Sequence, residues 1–369
     1  MKKIAQIVCS VAVMAIMASC GSKQYYTING KVDASVPEGT VVYMYNVADP
    51  EGTLDSTTVN AEGQFVFSGE AGEPWVAMIG SRAAGMQEQV IVEQGVISVG
   101  YDNNGVSGTP MNDQLATFAK ANDMSDLEGE LRTYMEAYYA APNAELRAEA
   151  ERKYDSVEAI ANKRMLDASW ELYNANRNNL VGALAMEQIS QLGDFTYTQF
   201  DSILADAAPV VKNYAPIEKT MQQMKAVDAT SAGKRYTDIQ GVDGKLSDLI
   251  EGKVALVDFY ASWCGPCRAE IKDNLVPLWK KYENKGLVIV GLNVWERGDA
   301  AARKAAHEKV MADLGITYPQ LVDSTRVATD TYGVRGIPQI LLIDKDGTIL
   351  ARDLRGEAIE KAIVEALKN

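Results

Sequence analysis

Two cysteines stand three residues apart in Trp263-Cys264-Gly265-Pro266-Cys267. The apolar run Val254–Tyr260 precedes them and reads as a strand, and residues 267–282 read as a helix that the pair opens. A helix N-terminus presents unpaired N–H groups and the positive end of the helix dipole. A sulfur placed there is stabilised as thiolate, the species that attacks disulfides. Residues i and i+3 share a helix face, so the second sulfur can reach the first. The spacing fits thiol–disulfide exchange, with Cys264 as the attacking thiol and Cys267 as the resolving one.

Asp258 lies inside the apolar run. Such a run implies a strand buried on both faces, where a carboxylate costs free energy unless it is used or neutralised. Burial raises a carboxyl pKa and suits the group to carrying protons. Asp258 is therefore expected to move the proton of Cys267; the alternative is a strand-end Asp that reaches solvent. A third segment, Gly333-Val334-Arg335-Gly336-Ile337-Pro338, precedes a strand-like run at 339–343. A proline is tolerated where a strand starts.

Other uses of the cysteine pair fit less well. A zinc site takes about four ligands. The other candidates are His307, the sole histidine, and Cys20, so no metal is expected. Haem attachment needs a His after the second Cys, and Arg268 stands there. A purely structural disulfide closing so short a loop restrains little of the unfolded chain.

The elements that must position these residues belong to a chain of 369 residues, 47% apolar and 23% charged. That composition is globular and excludes a mainly disordered, collagenous or polytopic membrane protein. Lys and Arg total 36 against 50 Asp and Glu, a net charge of -14, which argues against general nucleic-acid binding. Met1-Lys2-Lys3 and the apolar run 4–17 have the form of a signal peptide, shorter than the roughly 20 residues that span a bilayer. Met17-Ala18-Ser19-Cys20-Gly21 resembles the lipobox of bacterial lipoproteins. That resemblance implies removal of residues 1–19 and lipidation of Cys20; an ordinary cleavable signal is the alternative. Cys9 would leave with the signal, and Cys264 and Cys267 would remain as the only protein thiols.

After a tether at 20–24, residues 25–108 carry short β-type runs broken by Gly, Pro, Asn and Asp, which predicts a small antiparallel β-sandwich or barrel. Glu62-Gly63 and Gln94-Gly95 read as hairpin turns. Residues 109–227 switch to helical periodicity, with a long helix over 145–173 set off by Pro142 and shorter helices at 180–189, 198–204 and 217–227. Residues 228–235 are small and polar and read as a linker. Residues 236–369 alternate strand and helix, as a sheet with covering helices does.

Val257-Asp258-Phe259-Tyr260-Ala261-Ser262-Trp263-Cys264-Gly265-Pro266-Cys267, together with Tyr332-Gly333-Val334-Arg335-Gly336-Ile337-Pro338, closely resembles thioredoxin. The upstream segment 241–253 and the insert 296–319 resemble the TlpA/ResA branch of membrane-tethered extracytoplasmic thiol–disulfide oxidoreductases. The resemblance implies a C-terminal thioredoxin-like α/β domain, a cis Pro338 facing Cys264, and a substrate face of Trp263, Gly265, Pro266, Ile337 and Pro338. It also implies that the Ile337 backbone pairs with substrate. Gly291 stands where thioredoxin carries a Lys near the buried Asp, and Lys272 where the active-site helix often carries a Pro, so the usual kink there is not expected. His307 falls in the insert and is expected to be exposed and without a catalytic role. Residues 25–108 and Thr109-Pro110-Met111-Asn112 resemble an uncharacterised module that precedes thioredoxin domains in Gram-negative lipoproteins.

The expectation is a lipid-anchored periplasmic thiol–disulfide oxidoreductase, working as a reductase on protein disulfides without a cofactor. It would draw electrons from a membrane thiol protein, with apocytochrome c maturation or general disulfide repair as its use. Two other readings stand beside it. One is a partner-binding or assembly lipoprotein that uses the thioredoxin unit as a dock. The other is a peroxiredoxin, against which Ala261 stands three residues before Cys264 where that chemistry needs Thr.

Overall fold

A computed structural model describes residues 23–81, 85–100 and 105–368. The expected signal peptide, Cys9 and the lipidation site Cys20 lie outside the described residues. The chain divides into two compact units, the first ending at Gln188 and the second beginning at Ile189.

The first unit opens with eight strands: β1 (Tyr25–Lys31), β2 (Val41–Asn46), β3 (Asp49–Thr58), β4 (Gln64–Glu70), β5 (Trp75–Ser81), β6 (Met86–Val92), β7 (Gly95–Gly100) and β8 (Gly105–Ser107). They form two four-stranded sheets, ordered β4-β1-β7-β8 and β3-β2-β5-β6. Alternate residues of β1, β2 and β4 point inward, and Ile28, Val42, Phe65, Phe67, Ile79 and Ile97 share one core. Among the described residues the ladders of this unit are antiparallel except β1 with β7, which run parallel. The two expected hairpin turns are instead crossovers. Glu62-Gly63 joins β3 to β4 and Gln94-Gly95 joins β6 to β7, and each pair of strands lies in different sheets. The Asn60 side chain shapes the first by accepting from the Glu62 and Gln64 N–H groups.

Helices α1 (Pro110–Ala121), α2 (Ser125–Ala140), α3 (Ala144–Ala175) and α4 (Leu180–Leu192) follow. Asn143 caps α3 by accepting from Leu146 N, and Arg164 of α3 forks onto Asp126 of α2. The unit boundary falls inside α4, well before the segment expected as a linker. No described helix is long and apolar enough to cross a membrane.

The second unit continues with α5 (Tyr197–Leu204), α6 (Pro209–Lys212) and α7 (Ala215–Ala229). A short hairpin, β9 (Gln240–Gly241) and β10 (Gly244–Lys245), leads to α8 (Leu246–Ile250). Then come β11 (Val254–Tyr260), α9 (Gly265–Glu270), α10 (Val276–Tyr282), β12 (Leu287–Asn293), α11 (Ala300–Leu314), β13 (Gln320–Val322), α12 (Val327–Thr331), β14 (Gln339–Ile343), β15 (Ile349–Ala351) and α13 (Glu357–Ala366). The sheet order is β13-β12-β11-β14-β15, with β11, β12 and β13 mutually parallel and β14 antiparallel to β11 and β15. Every residue of β11, β12 and β14 is buried, because apolar clusters cover both faces of the sheet.

Residues 228–235 are not a free linker. The Arg352 guanidinium donates to the Thr230 carbonyl and hydroxyl, Gly233 N donates to Ile349 O, and Ile349 N donates to Lys234 O. A composition of small polar residues marks a turn-rich path but does not say whether its backbone is paired.

Candidate active site

β11 ends at Tyr260, and four residues later Cys264 sits at the N-cap of α9. Pro266 occupies the first turn, where its missing N–H costs nothing. Cys264 and Cys267 are joined by a disulfide with Cα atoms 5.3 Å apart. The Cys267 N–H points at Cys264 Sγ, 3.2 Å away. Cys264 keeps 5% of its surface exposed and Cys267 none. The accessible sulfur is therefore the one the helix end addresses, and the other is sealed in the core.

The Ile337–Pro338 peptide bond is cis, and the Ile337 carbonyl oxygen lies 3.7 Å from Cys264 Sγ. Ile337 and Pro338 are half-buried and Gly265 and Pro266 are exposed, so these residues frame the sulfur at the surface. Arg355 donates to the Pro338 carbonyl.

A clamp from the β12–α11 segment holds the motif in place. Glu296 accepts from Ser262 N at 2.6 Å and Ser262 Oγ at 2.7 Å, and from Asn293 Nδ2 at 2.8 Å. Trp263 donates its indole N–H to the Trp295 carbonyl at 3.0 Å, and the Arg297 guanidinium lies 4.3 Å from the centre of the Trp263 ring. Trp295 adopts a left-handed backbone, φ 55°, which is costly for a bulky side chain and persists because Thr329 and Arg326 engage its ring.

Asp258 faces the same side of the sheet as Cys267. Val254, Leu256 and Tyr260 share its strand parity and pack in one cluster with Cys264 and Cys267. Asp258 is 1% exposed, and among the described residues neither carboxyl oxygen has a protein hydrogen-bond partner. Burial first, and the Glu270 carboxylate second, push the carboxyl up to about 8 from the usual 3.8, against the pull of Arg355. Tyr260 and Tyr318, buried on the same side, are pushed up by burial and by that carboxyl.

The active-site helix is interrupted, although Lys272 predicts no kink. Residues Ile271–Leu275 form one π turn between α9 and α10. Pro277 supplies the cause: it lacks an N–H and crowds the carbonyl four residues back. Sequence reasoning passed over Pro277, Glu270, Glu296, Trp295 and Arg297. Glu270 had a signal, standing three residues after Cys267 on one helix face. His307, expected to be exposed, is half-buried, its Nε2 3.4 Å from Gln320 Oε1. No group of His, Cys, Asp and Glu among the described residues is arranged to hold a metal ion.

Known proteins resemble this chain over two separate stretches. Residues 222–352 match the model of the AhpC/TSA family, and residues 26–115 match a domain of unknown function, DUF4369. A Bacillus thuringiensis protein named thiol–disulfide oxidoreductase ResA is 31% identical over 132 residues, which are 36% of this chain and 71% of that one. The thiol:disulfide interchange protein HelX of Rhodobacter capsulatus is 34% identical over 122 residues, 33% of this chain and 62% of that one. Among solved structures, a thiol:disulfide interchange protein from Bacteroides sp. matches with a TM-score of 0.34 and 25% identity, covering 38% of this chain and 93% of that one.

Proposed function

We propose, because this chain belongs to the ResA/TlpA-like thiol–disulfide oxidoreductases, that it reduces disulfides of exported proteins through Cys264 and Cys267. The observation that carries this reading is the asymmetry of the two sulfurs: Cys264 at the surface beside the Ile337 carbonyl, Cys267 sealed beneath it.

In the reduced enzyme the Cys264 thiolate attacks a substrate sulfur, forming a mixed disulfide and expelling one substrate thiolate. Cys267 then gives its proton to the Asp258 carboxylate and attacks Cys264 Sγ. The internal disulfide forms, and the second substrate thiolate leaves. Two electrons pass to the substrate, and the enzyme is left in the oxidised state described here. Restoring the dithiol needs an upstream dithiol donor, which we assign to a membrane thiol protein. Asp258 then returns its proton to Cys267 as the disulfide opens.

Substrate lies along Trp263, Gly265, Pro266, Ile337 and Pro338, with the Ile337 backbone pairing to the substrate chain. The lipobox-like Met17-Ala18-Ser19-Cys20 and the basic, apolar start support a periplasm-facing site tethered through Cys20. Exchange between the full chain and a disulfide-bearing protein substrate tests this reading. The Cys264→Ala variant should fall to the uncatalysed rate; retention of exchange would sink the mechanism. Mass spectrometry of the membrane-extracted protein should find the mature N-terminus acylated at Cys20.

A further inference from the structure

Asp258 of β11 is in register with Gly291 of β12, and Gly291 is in register with Gln320 of β13. The three stand in one row across the sheet, on the side where Tyr260, Cys267 and Tyr318 are buried. A Cβ at Gly291 would sit 2.5 Å from both Oε1 and Nε2 of Gln320. The Gln320 carboxamide thus fills the place a side chain at 291 would take, one strand spacing, about 4.8 Å, from the Asp258 strand.

The carboxamide has a fixed orientation. Its Nε2 donates to the Tyr318 carbonyl at 3.2 Å and the Pro319 carbonyl at 3.1 Å. Two acceptors on that side leave Oε1 to face the Tyr260 hydroxyl, which donates to it at 2.7 Å, with His307 Nε2 farther off at 3.4 Å from the same oxygen. Tyr260 is two residues from Asp258 on the same face, and its hydroxyl is drawn sideways over Gly291. Among the described residues no protein group donates to either oxygen of Asp258.

We propose that Gln320 is a positioning residue for the proton step: it captures the Tyr260 hydroxyl and so withholds from Asp258 the donor that would hold it ionised. A hydroxyl donated to a carboxylate favours the charged form. A carboxyl kept without that bond retains its proton to higher pH, matched to a buried thiol. The inference rests on the proton role given to Asp258 above. The other groups acting on this carboxyl are Glu270 from α9, Arg355 ahead of α13 and Tyr318, with Cys267 buried on the same side of the sheet; His307 of α11 faces Gln320 instead.

The test is the titration midpoint of the Asp258 carboxyl, followed by carbon NMR in oxidised full-length protein labelled at its Asp carboxyl groups. In Gln320→Met the Tyr260 hydroxyl loses its acceptor and turns to Asp258, and the midpoint should fall by about one pH unit. Adding Tyr260→Phe should return it to the parent value. A merely structural role for Gln320 would lower stability without this paired shift. An unchanged or raised midpoint in Gln320→Met, or a fall that Tyr260→Phe does not reverse, overturns the proposal. Should Gln320→Met not fold, Tyr260→Phe alone decides. The midpoint should stay at the parent value, and a rise would mean that the hydroxyl already serves Asp258. These readings are taken on the disulfide form, so they stand apart from whether Cys264→Ala abolishes exchange.

Discussion

The backbone N–H of Cys267 is directed at the sulfur of Cys264 across 3.2 Å. The resolving residue thus stabilises charge on the attacking one before it acts itself. In the reduced protein the Cys264 thiol should titrate below the free value of about 8.5, because the helix end and this N–H favour the thiolate. Thiolate absorbance followed against pH in Cys267→Ala measures it. That variant should also accumulate a mixed disulfide with substrate, visible as a mass adduct, because nothing remains to attack Cys264.

The proton role proposed for Asp258 should tie activity to pH. Its carboxyl, pushed up to about 8 by burial and Glu270, must be ionised to accept the Cys267 proton. Release of reduced substrate should therefore accelerate as pH rises, levelling above about 8. Asp258→Asn should flatten the profile and slow release more than tenfold, the usual scale for a positioned proton acceptor being about 10²–10⁴. Rapid-quench analysis of the mixed disulfide checks both.

The same carboxyl has a cost in stability, and its sign follows from proton binding. The folded state holds this proton up to about 8, while the unfolded chain releases it near the usual 3.8. Below both values the group is neutral in either state and changes nothing. Between them the folded state binds more protons, so stability falls as pH rises, and it stays lowered above the folded value. Asp258→Asn should be more stable than the parent at pH 8 by on the order of several kcal/mol, the gap closing towards pH 4. Denaturant unfolding at the two pH values decides it.

Glu296 spends both carboxylate oxygens on the active-site turn. Glu296→Ala strips acceptors from Ser262 and Asn293 and should destabilise the second unit by about 1–3 kcal/mol. Freed from its seat against Trp295, Trp263 should also lose order, and KM for protein disulfides should rise. Thermal unfolding together with tryptophan fluorescence would show the two effects side by side.

Gly333 has φ 61°, and a Cβ there would lie 2.5 Å from the Gln223 carbonyl oxygen and 2.6 Å from Val227 Cγ2, both on α7. Gly333→Ala should therefore cost about 1–3 kcal/mol. It should also move the Ile337–Pro338 loop enough to reduce exchange, whereas Gly265→Ala, whose Cβ meets nothing within 4 Å among the described residues, should fold as the parent does.

What could be read from the chain follows from how local each signal is. The Cys pair, the apolar run around Asp258 and the 32-residue α3 carry their information within a few turns of sequence, and each is legible there. β3, with Asp49, Gly52, Asp55 and Ser56, has no alternation and reads as loop; its pairing with β2 makes it a strand. The parallel β1–β7 ladder joins residues some 70 positions apart and has no local trace. The Glu296 clamp spans 34 positions for the same reason. The π turn was hidden differently: attention to Lys272 missed the proline five residues on that breaks the helical ladder.

One guanidinium sets where the redox module can be cut. Arg352 spends one amino group on Thr230 and the other on the Tyr332 carbonyl, next to Gly333. A fragment trimmed to begin at 236 would keep every strand of the five-stranded sheet and both cysteines, and so would look complete on paper. It would strip a half-buried cation of its Thr230 acceptors and leave the Gly333 bend with no helix to lean on. A fragment starting at 189 keeps both, and should fold and cycle where the shorter one aggregates.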